Sequence, residues 1–307
     1  MNNQQVVVIG SLNYDLLLKQ KRLPQKGETF MADSLIQGPG GKGANQAVQC
    51  AKLGLSTSMI GKVGEDRFGE ALIGSLQASG TNVDFINKKG TTGMGIVNVL
   101  PDGDYHSTLL RGANYLITKE DIDRSLDVIT SCQYILLQQE IPSEIVDYII
   151  EKTKDVECQI VLNNAPAREI NDTSLSAINI LVVNETEAEF MSGSQVDSIK
   201  TAHKVAELLV SKVKDIVILT LGSLGVVIAT KKETFYTPAN KVDAIDATGA
   251  GDSFIGAFVF CLLEGYSLKK AAEVATLVSS MTVSRSGGSE SFPTLAELNE
   301  HALFQKS

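Results

Sequence analysis

The chain has 307 residues, of which 43% are hydrophobic and 21% are charged, and its formal net charge at pH 7 is −9. This composition is typical of a globular protein, and the length suits one large domain or two modest ones with an ample core. The negative balance argues against nucleic acids and anionic membranes as partners, because no surplus of basic residues is left to neutralise phosphates.

The four cysteines and three histidines have no spacing typical of a structural zinc site, and each cysteine lies in or beside an apolar run. We therefore expect buried, reduced thiols. The residues before the first apolar run lack the basic segment of a signal peptide, and the longest apolar helix, around residues 255–263, is too short to span a bilayer. These features predict a cytoplasmic protein without a membrane partner.

Strand and helix patterns alternate along the chain, beginning with the continuous apolar run Val6–Ile9, which is typical of a parallel strand covered on both faces. Further strands are predicted at residues 57–61, 134–138, 159–162, 180–183 and 216–219. Helices are predicted at residues 45–53, 66–79, 249–264, 268–283 and 294–303, and a capping box opens another at residues 118–121. The alternation predicts an α/β fold, with a doubly wound, mostly parallel sheet and helices on both faces.

Two stretches depart from this alternation. Residues 16–37 contain alternating polar segments and no helix, and residues 93–111 predict a hairpin with strands 95–100 and 105–110 around a turn at residues 101–104. An isolated hairpin is marginally stable in water, so we expect a small separate sheet that covers part of the molecule rather than a surface hairpin alone. The predicted division is an α/β domain of residues 1–12, 38–92 and 112–307, and a β lid of residues 13–37 and 93–111.

The segment Thr248-Gly249-Ala250-Gly251-Asp252 precedes a strongly apolar helical stretch. Small residues leave backbone N–H groups uncovered at a helix N-terminus, and such a site attracts anions. A carboxylate beside this site would repel a phosphate, so Asp252 fits better as a base that takes the proton of a hydroxyl attacking a phosphoryl group. The same residues also suit a plain helix start, with an early acidic residue near the dipole and glycines that permit close packing.

A second glycine cluster, Gly40-Gly41-Lys42-Gly43-Ala44-Asn45, lies far upstream and also precedes a helical pattern. It lacks the Ser or Thr that follows the lysine of a Walker A loop, and neither cluster has the glycine spacing of a dinucleotide-binding loop. Together the two clusters resemble the two signatures of the ribokinase-type carbohydrate kinases. The likeness covers nearly the whole chain and continues in Gly10-Ser11-Leu12-Asn13-Tyr14-Asp15, Asn164-Ala165-Pro166-Ala167-Arg168, Asn184-Glu185-Thr186-Glu187 and Thr220-Leu221-Gly222-Ser223.

This resemblance implies a β lid over a sugar site, with Asp252 as the general base and the N–H groups of Gly249, Ala250 and Gly251 as the anion hole. It implies that the sugar contacts residues distant in the sequence, namely Asn13, Asp15, Gly41, Lys42, Gly43, Asn45, Glu140 and Asp252. Their chemistry agrees, because carboxylates accept from and amides donate to vicinal hydroxyls. Without the resemblance, Asn13 and Asp15 would suit an Asx turn, Lys42 a solvated surface position and Glu140 a loop.

The resemblance also implies an ATP site formed by Asn184, Thr220, Leu221, Gly222, Ser223, Gly225, Gly251 and Thr276, with Glu187 organising Mg²⁺ through water. Asn184 and Glu187 independently have the pattern of an N-cap followed by an acidic first turn, and the two roles are compatible.

Two further expectations rest on the same resemblance. A K⁺ ion is expected at Asp246, Thr248, Thr282, Arg285, Gly287 and Ser291. The loop of residues 284–289 is rich enough in Ser and Gly to present carbonyls inward, although an ordinary helix-ending loop has the same composition. A homodimer that forms through the lid is also expected.

Together these features predict ATP-dependent phosphorylation of D-ribose at its 5-hydroxyl to give ribose 5-phosphate. Kinases of another sugar or of a nucleoside, such as deoxyribose or fructose kinases, are the alternatives within the family. A catalytically silent sugar-binding regulator is the alternative from another class. The intact turn ending at Asp252 argues against a regulator, because a sensor needs no base.

Overall fold

The computed structural model describes residues 5–101, 105–301 and 304, and the strands within them form two sheets. The strands are β1 Val6–Ile9, β2 Asn13–Lys19, β3 Ser34–Gly40, β4 Thr57–Val63, β5 Asn82–Lys88, β6 Gly93–Val99, β7 Tyr105–Leu110, β8 Tyr134–Leu137, β9 Gln159–Asn163, β10 Ile180–Asn184, β11 Ile216–Thr220, β12 Gly225–Thr230 and β13 Thr234–Pro238. The helices are α1 Lys42–Lys52, α2 Arg67–Ala78, α3 Lys119–Asp123, α4 Leu126–Ser131, α5 Ser143–Thr153, α6 Asp172–Ala177, α7 Glu185–Ser192, α8 Ile199–Val210, α9 Ala250–Leu263, α10 Leu268–Val283 and α11 Leu295–Glu300. Short 3₁₀ turns lie at Gly112–Leu116, Gly222–Leu224 and Ser289–Ser291.

The larger sheet has nine strands in the described chain, in the order β13-β12-β11-β10-β9-β8-β1-β4-β5. The seven strands from β11 to β5 are parallel, and β12 and β13 add an antiparallel hairpin at one edge. The predicted doubly wound, mostly parallel sheet is therefore confirmed.

The apolar strands face two separate cores because successive side chains point to opposite faces of a sheet. Val6 and Val8 of β1 join a core that includes apolar residues of α1, α9 and α10. Val7 and Ile9 join a second core that includes residues of α5 and α8. Both faces of the sheet are covered by helices, which explains why β1 has an apolar residue at every position.

The strand order reverses at β1, which pairs with β4 on one side and with β8 on the other. The chain leaves the C-terminal end of β1 for the smaller sheet and returns through α1 to β4. A crevice opens at such a reversal, and ligands of open α/β sheets bind there.

The smaller sheet has the order β3-β2-β6-β7 in the described chain. Strand β2 pairs with β3 antiparallel and with β6 parallel, and β6 and β7 form the predicted hairpin. The predicted turn falls partly on residues 102–104, which lie outside the described residues. The Asx-turn alternative for Asn13 and Asp15 is wrong, because both residues lie in β2 with partners on each side.

Local sequence signals predicted the helix ends well. Asn184 and Thr294 cap their helices as expected, and Asp66 caps α2, a role that was not predicted. The capping boxes at Thr118 and Thr294 have both of their hydrogen bonds. Helix α1 begins three residues earlier than predicted, and the end predicted for the last helix falls on residue 303, outside the description.

Strands β5, β12 and β13 were not predicted, because β5 mixes polar and apolar residues and the last two form an edge hairpin outside the strand–helix alternation. All four cysteines are buried and free. None of the described helices combines the length and hydropathy that crossing a membrane requires.

Candidate active site

A cavity of about 810 Å³ lies at the C-terminal ends of β1 and β8, beneath the smaller sheet. Apolar side chains of the smaller sheet form one wall, and polar side chains from the ends of the larger sheet and the starts of α1 and α9 form the other. The charged residues that line it are Asp15, Lys42, Glu140, Glu187, Asp246 and Asp252. Sequence positions predicted for a sugar and for its base therefore meet in one place.

Glu140 joins the loop after β1 to the start of α1. Its Oε2 accepts hydrogen bonds from Ser11 Oγ at 2.5 Å, Lys42 N at 3.2 Å and Asn13 Nδ2 at 3.3 Å. Three donors on one oxygen fix the carboxylate in the cavity wall, and its other oxygen has capacity to accept from a ligand hydroxyl. Glu140 does lie in the loop between β8 and α5, and these contacts hold its carboxylate at the cavity.

Asp15 lies between two glycines of neighbouring strands. A Cβ on Gly40 would lie 1.9 Å from Asp15 Oδ2, and a Cβ on Gly95 would lie 2.3 Å from Oδ1, so only glycine leaves room for this carboxylate. Burial, reinforced by the nearby Glu140, raises the pKa of Asp15 to about 7 from an ordinary value of 3.8.

Asp252 lies in the first turn of α9 and is 7% exposed. Its Oδ2 accepts from Asn45 Nδ2 at 2.9 Å, and its Oδ1 accepts from Gln46 Nε2 at 3.0 Å. Burial raises the pKa of Asp252, while the Lys42 cation and the two amide donors act in the opposite direction. A buried carboxylate with raised proton affinity at a cavity wall suits proton abstraction.

The turn before Asp252 has the conformation that an anion site needs. Gly249 has φ 74°, and a Cβ there would lie 2.7 Å from the ring of Phe292. The N–H of Ala250 donates to Ala247 O at 3.2 Å, so this amide has an internal acceptor. The N–H groups of Gly249 and Gly251 have no acceptor among the described residues and are available to a ligand.

The lining of the cavity carries five carboxylates and one lysine. This balance suits a neutral polyol but repels the phosphates of a nucleotide unless a cation accompanies them. Among the described residues no group of three or more His, Cys, Asp or Glu side chains converges tightly enough to hold a metal ion by itself. A metal here would need ligands from a substrate or from water.

Two positions predicted for the nucleotide, Asn184 and Thr220, lie at the C-terminal ends of β10 and β11, which follow β9 in the sheet. Asn184 and Thr220 are direct neighbours in register, and Glu187 extends from α7 into the cavity lining. Glu187 Oε2 also accepts from Asn184 N at 2.9 Å, which completes the capping box of α7 with Asn184 as the N-cap. Burial raises the pKa of Glu187.

In the described chain, none of the positions predicted for the nucleotide lines this cavity. Gly222 and Ser223 form a 3₁₀ turn after Leu221, and Gly225 begins β12. The Thr276 hydroxyl donates to Ala272 O within α10.

Asp246 connects two segments that are distant in sequence. Its Oδ1 accepts from Thr248 N at 2.9 Å and its Oδ2 accepts from Gly287 N at 3.2 Å. The predicted proximity of Asp246 to the Ser/Gly loop is therefore confirmed.

The other expected K⁺ positions have contacts of their own. Thr282 Oγ1 lies within hydrogen-bond distance of Val278 O and of Ser253 Oγ, each at 3.0 Å. Arg285 forms an ion pair with Glu297 at 2.7 Å, and its Nη1 lies 3.4 Å from Ser291 O.

Sequence reasoning missed four polar residues of this region, namely Ser11, Gln46, Asn114 and Gln138. Asn114 Nδ2 donates to Asn13 Oδ1 at 2.7 Å, and Asn114 Oδ1 accepts from Leu12 N at 2.9 Å, so this side chain orients Asn13. Ser11 and Gln46 adjoin predicted motifs, which was an available signal. Gln138 ends the predicted strand 134–138, two residues before Glu140, whereas Asn114 lies far from any motif and only the folded chain brings it to the site.

The sequence matches the pfkB family of carbohydrate kinases over residues 3–295. It is 35% identical over 299 residues to the deoxyribokinase of Salmonella typhi, covering 96% of this chain and 98% of that protein. It is also 35% identical over 296 residues to the ribokinase of Bacillus subtilis, with the same shares of 96% and 98%. The Arabidopsis thaliana ribokinase in complex with ribose and ATP has the same fold, with a TM-score of 0.90, 28% identity and 99% coverage of both chains. The chain therefore belongs to the pfkB family of carbohydrate kinases and is an ATP-dependent sugar kinase of the ribokinase type.

Proposed function

We propose that this kinase transfers the γ-phosphoryl group of ATP to the 5-hydroxyl of D-ribose, with Asp252 as the general base. The observation that carries the proposal is the position of Asp252. It is a buried carboxylate at the wall of a cavity lined by polar side chains, one residue after a turn with uncommitted N–H groups.

The sugar would lie between the smaller sheet and the ends of β1 and β8. Asp15 and Glu140 accept from its hydroxyls, and Asn13, Lys42 and Asn45 donate to them. Gly41 lets the backbone approach closely: its φ is 92°, and a Cβ there would lie 2.6 Å from Asn13 N. Gly43 acts indirectly, because its N–H donates to Ser11 Oγ at 3.3 Å.

Proton transfer accompanies attack on the phosphoryl group. Asp252 takes the hydroxyl proton as the oxygen bonds to phosphorus, and ADP leaves with the electron pair of the broken bond. A positioned base contributes ~10²–10⁴-fold to such reactions. The N–H groups of Gly249 and Gly251 donate to the transferring phosphoryl group, where charge develops, and that of Ala250 would join them by releasing Ala247 O. The lid of residues 13–37 and 93–111 excludes water.

ATP would extend from this turn over the ends of β10 and β11, against Asn184, Gly225 and the segment Thr220-Leu221-Gly222-Ser223. Its adenine would lie near Thr276. The acidic lining supports a role for Mg²⁺, because oxygen ligands suit it and it would neutralise the phosphates. Glu187, which lines the cavity, would hold it through water.

A K⁺ ion would lie at the Asp246 loop. The ligand chemistry fits, because the Asp246 carboxylate faces the Ser/Gly loop. The ion would take its other oxygen ligands from residues around Thr248, Thr282, Arg285, Gly287 and Ser291. The ion would stabilise the turn that presents the N–H groups. Asp246 itself already ties Thr248 to Gly287, which holds the turn in place.

A second copy of the chain is the proposed partner of the lid. Several large apolar side chains of the smaller sheet and the loop beside it are exposed to solvent, namely Met31, Leu35, Ile36, Leu109 and Leu110. A homodimer formed on this face would cover them. Sedimentation of the protein and of its Leu35→Lys variant should give a dimer and a monomer; a monomeric wild type would contradict the pairing.

The acceptor sugar is the finer part of the proposal. Relatives of equal identity are a deoxyribokinase and a ribokinase, so 2-deoxyribose is the main competitor. The two sugars differ by one hydroxyl, and a site built to hydrogen-bond that hydroxyl discriminates strongly against its absence.

A coupled ADP-release assay tests the function. Ribose, 2-deoxyribose, fructose and nucleosides are each titrated at saturating Mg-ATP, with wild type and Asp252→Asn in parallel. We expect the highest kcat/KM for ribose and a fall of ~10²-fold or more in kcat for the variant. Preference for another acceptor overturns the assignment of ribose, while undiminished turnover by Asp252→Asn overturns the assignment of the base.

A further inference from the structure

Two glutamines with no part in the proposed reaction form a buried chain behind Asp252. Gln46 lies on α1, Gln138 follows β8, and both are fully buried. Gln138 Nε2 donates to Gln46 Oε1 at 2.7 Å, and Gln46 Nε2 donates to Asp252 Oδ1 at 3.0 Å. The chain thus connects the end of a central strand to the carboxylate at the start of α9.

The direction of this chain follows from the chemistry of its end. An ionised carboxylate only accepts hydrogen bonds, so the Gln46 amide must turn its N–H toward Asp252. Its carbonyl oxygen then points away and needs a donor, which the Gln138 amide supplies. Gln138 therefore determines which end of the Gln46 amide faces the carboxylate.

The two oxygens of Asp252 consequently have different surroundings. Oδ2 accepts from Asn45, which lines the cavity, whereas Oδ1 accepts from Gln46, which is fully buried and does not line it. Oδ1 is held as an acceptor on the inner side, and Oδ2 is the oxygen on the side of the substrate.

The arrangement is not one that stability alone would favour. Gln138 Oε1 has no hydrogen-bond partner in the part of the chain that the structure describes, and an unmatched buried acceptor costs about 1–3 kcal/mol. Space is also reserved for it, since a Cβ on Gly10 would lie 1.9 Å from this oxygen.

We propose that Gln46 and Gln138 are positioning residues that hold Asp252 Oδ1 as a permanent acceptor, so that Oδ2 alone takes the proton of the attacking hydroxyl. This inference rests on the proposed role of Asp252 as the base. Gln46 acts on the carboxylate directly, and Gln138 acts only through Gln46.

Several charged groups also face Asp252. Lys42 comes from α1, Glu140 from the end of β8, Asp15 from β2 and Glu187 from α7. These groups are unchanged when a glutamine is replaced, so loss of the Gln46 donor should favour the protonated form of Asp252.

The test is the pH dependence of kcat at saturating ribose and Mg-ATP. In Gln46→Met the acid limb of the profile should move to higher pH by about one to two units, with the rate recovering at high pH. Gln138→Met should move it in the same direction by less. The double variant should show the shift of Gln46→Met alone, because Gln138 has no other route to the base.

Gln49→Met is the matched control. Gln49 is a fully buried glutamine on the same helix, and its amide donates to Pro293 O instead of Asp252. This variant should lose thermal stability without a shift of the acid limb. If Gln46→Met does not fold, the sign of the shift in Gln138→Met decides the question alone.

Three results would overturn the inference: an equal loss of kcat at every pH in Gln46→Met, an unmoved limb in Gln138→Met, or additive shifts in the double variant. Any of them, combined with an inactive Asp252→Asn, leaves the base assignment standing. An active Asp252→Asn removes the base itself and the inference with it.

Discussion

Burial gives individual carboxylates of the cavity an unusual affinity for protons. Asp15 and Asp252 lie within one lining, yet their surroundings differ: Asp15 is held between two glycines, whereas Asp252 accepts from two side-chain amides. Burial raises the pKa of both groups. We therefore expect the surroundings of these two carboxylates to determine how the stability and the activity of this kinase depend on pH.

Asp15→Asn should change how stability depends on pH. Asp15 has a pKa of about 7 in the folded chain and an ordinary value of 3.8, so the folded state retains the proton longer as pH rises. Between pH 4 and 7 the wild type therefore loses stability through this group, and the loss is complete above pH 7. The variant lacks it, so its Tm relative to wild type should rise by a few degrees between pH 5 and 8.

Sugar affinity of the same variant gives a second measurement. An amide at position 15 offers one acceptor oxygen instead of two, so the KM for ribose should rise while the KM for ATP stays constant. An equal Tm difference at pH 5 and pH 8, or equal effects on both substrates, would contradict this account of Asp15.

A second residue-scale prediction concerns Lys62, whose Nζ lies 2.5 Å from Asp121 Oδ2 and donates to Leu116 O at 2.7 Å. Both partners of the ion pair are buried, so Lys62→Met removes the buried cation from the Asp121 carboxylate and leaves it the mostly exposed Arg124. The free energy of unfolding should fall by about 3–5 kcal/mol. Urea denaturation measures this change.

Arg124→Met is the control, because Arg124 pairs with the other oxygen of the same carboxylate but is 68% exposed. It should lower the free energy of unfolding by less than about 1 kcal/mol. Similar losses in both variants would show that burial does not govern this cluster.

At the scale of elements, the start of α9 combines a backbone conformation with a packing contact. Gly249 has φ 74°, and the Phe292 ring occupies the space next to its Cα. The 3₁₀ turn before Phe292 thereby supports the turn whose N–H groups face the cavity.

Gly249→Ala should therefore lower kcat by ~10-fold or more, since a few tenths of an ångström displace preorganised donors. Gly265→Ala is its control at the other end of α9, where φ is 77° and nothing lies within 4 Å of an added Cβ. Both variants should lose about 1–3 kcal/mol of stability from backbone strain, but only the first should lose turnover. Steady-state kinetics with thermal unfolding distinguish them, and full activity of Gly249→Ala would contradict the role of the turn.

At the scale of the whole molecule, the site exists because distant segments meet between two sheets. Asp246 and Gly287 are separated by 41 positions, and the hydrogen bond between them joins two segments beside the turn that precedes α9. The smaller sheet forms the opposite wall with side chains of β2, β6 and β7. Function depends on holding these parts in one arrangement.

The monovalent ion prediction belongs to this scale. Turnover at saturating ribose and Mg-ATP should be low in a buffer that contains only bulky organic cations, and it should rise on addition of K⁺ and less with Na⁺. Asp246→Ala should abolish the response with little effect on ribose binding measured by calorimetry. Equal turnover with and without K⁺ would contradict the ion site and leave Asp246 with only its structural role between Thr248 and Gly287.

The sequence by itself determined the features that depend on near neighbours. Caps such as Asn184 with Glu187 close within one turn, and apolar runs such as Val6–Ile9 follow from strands buried on both faces. The α/β class and the small second sheet therefore followed from pattern. The family resemblance supplied Asp15, Glu140 and Asp252 as one set, which spacing along the chain could not have done.

Only the tertiary structure decided which polar groups meet. Gln46 and Asp252 are 206 positions apart, and Gln46 and Gln138 are 92 apart, so their contact depends on the order of strands in the sheet. The same holds for the proton affinity of Asp15, which burial in the cavity between the two sheets raises. Desolvation and hydrogen bonding act through space, and a linear pattern carries no record of the distances on which they depend.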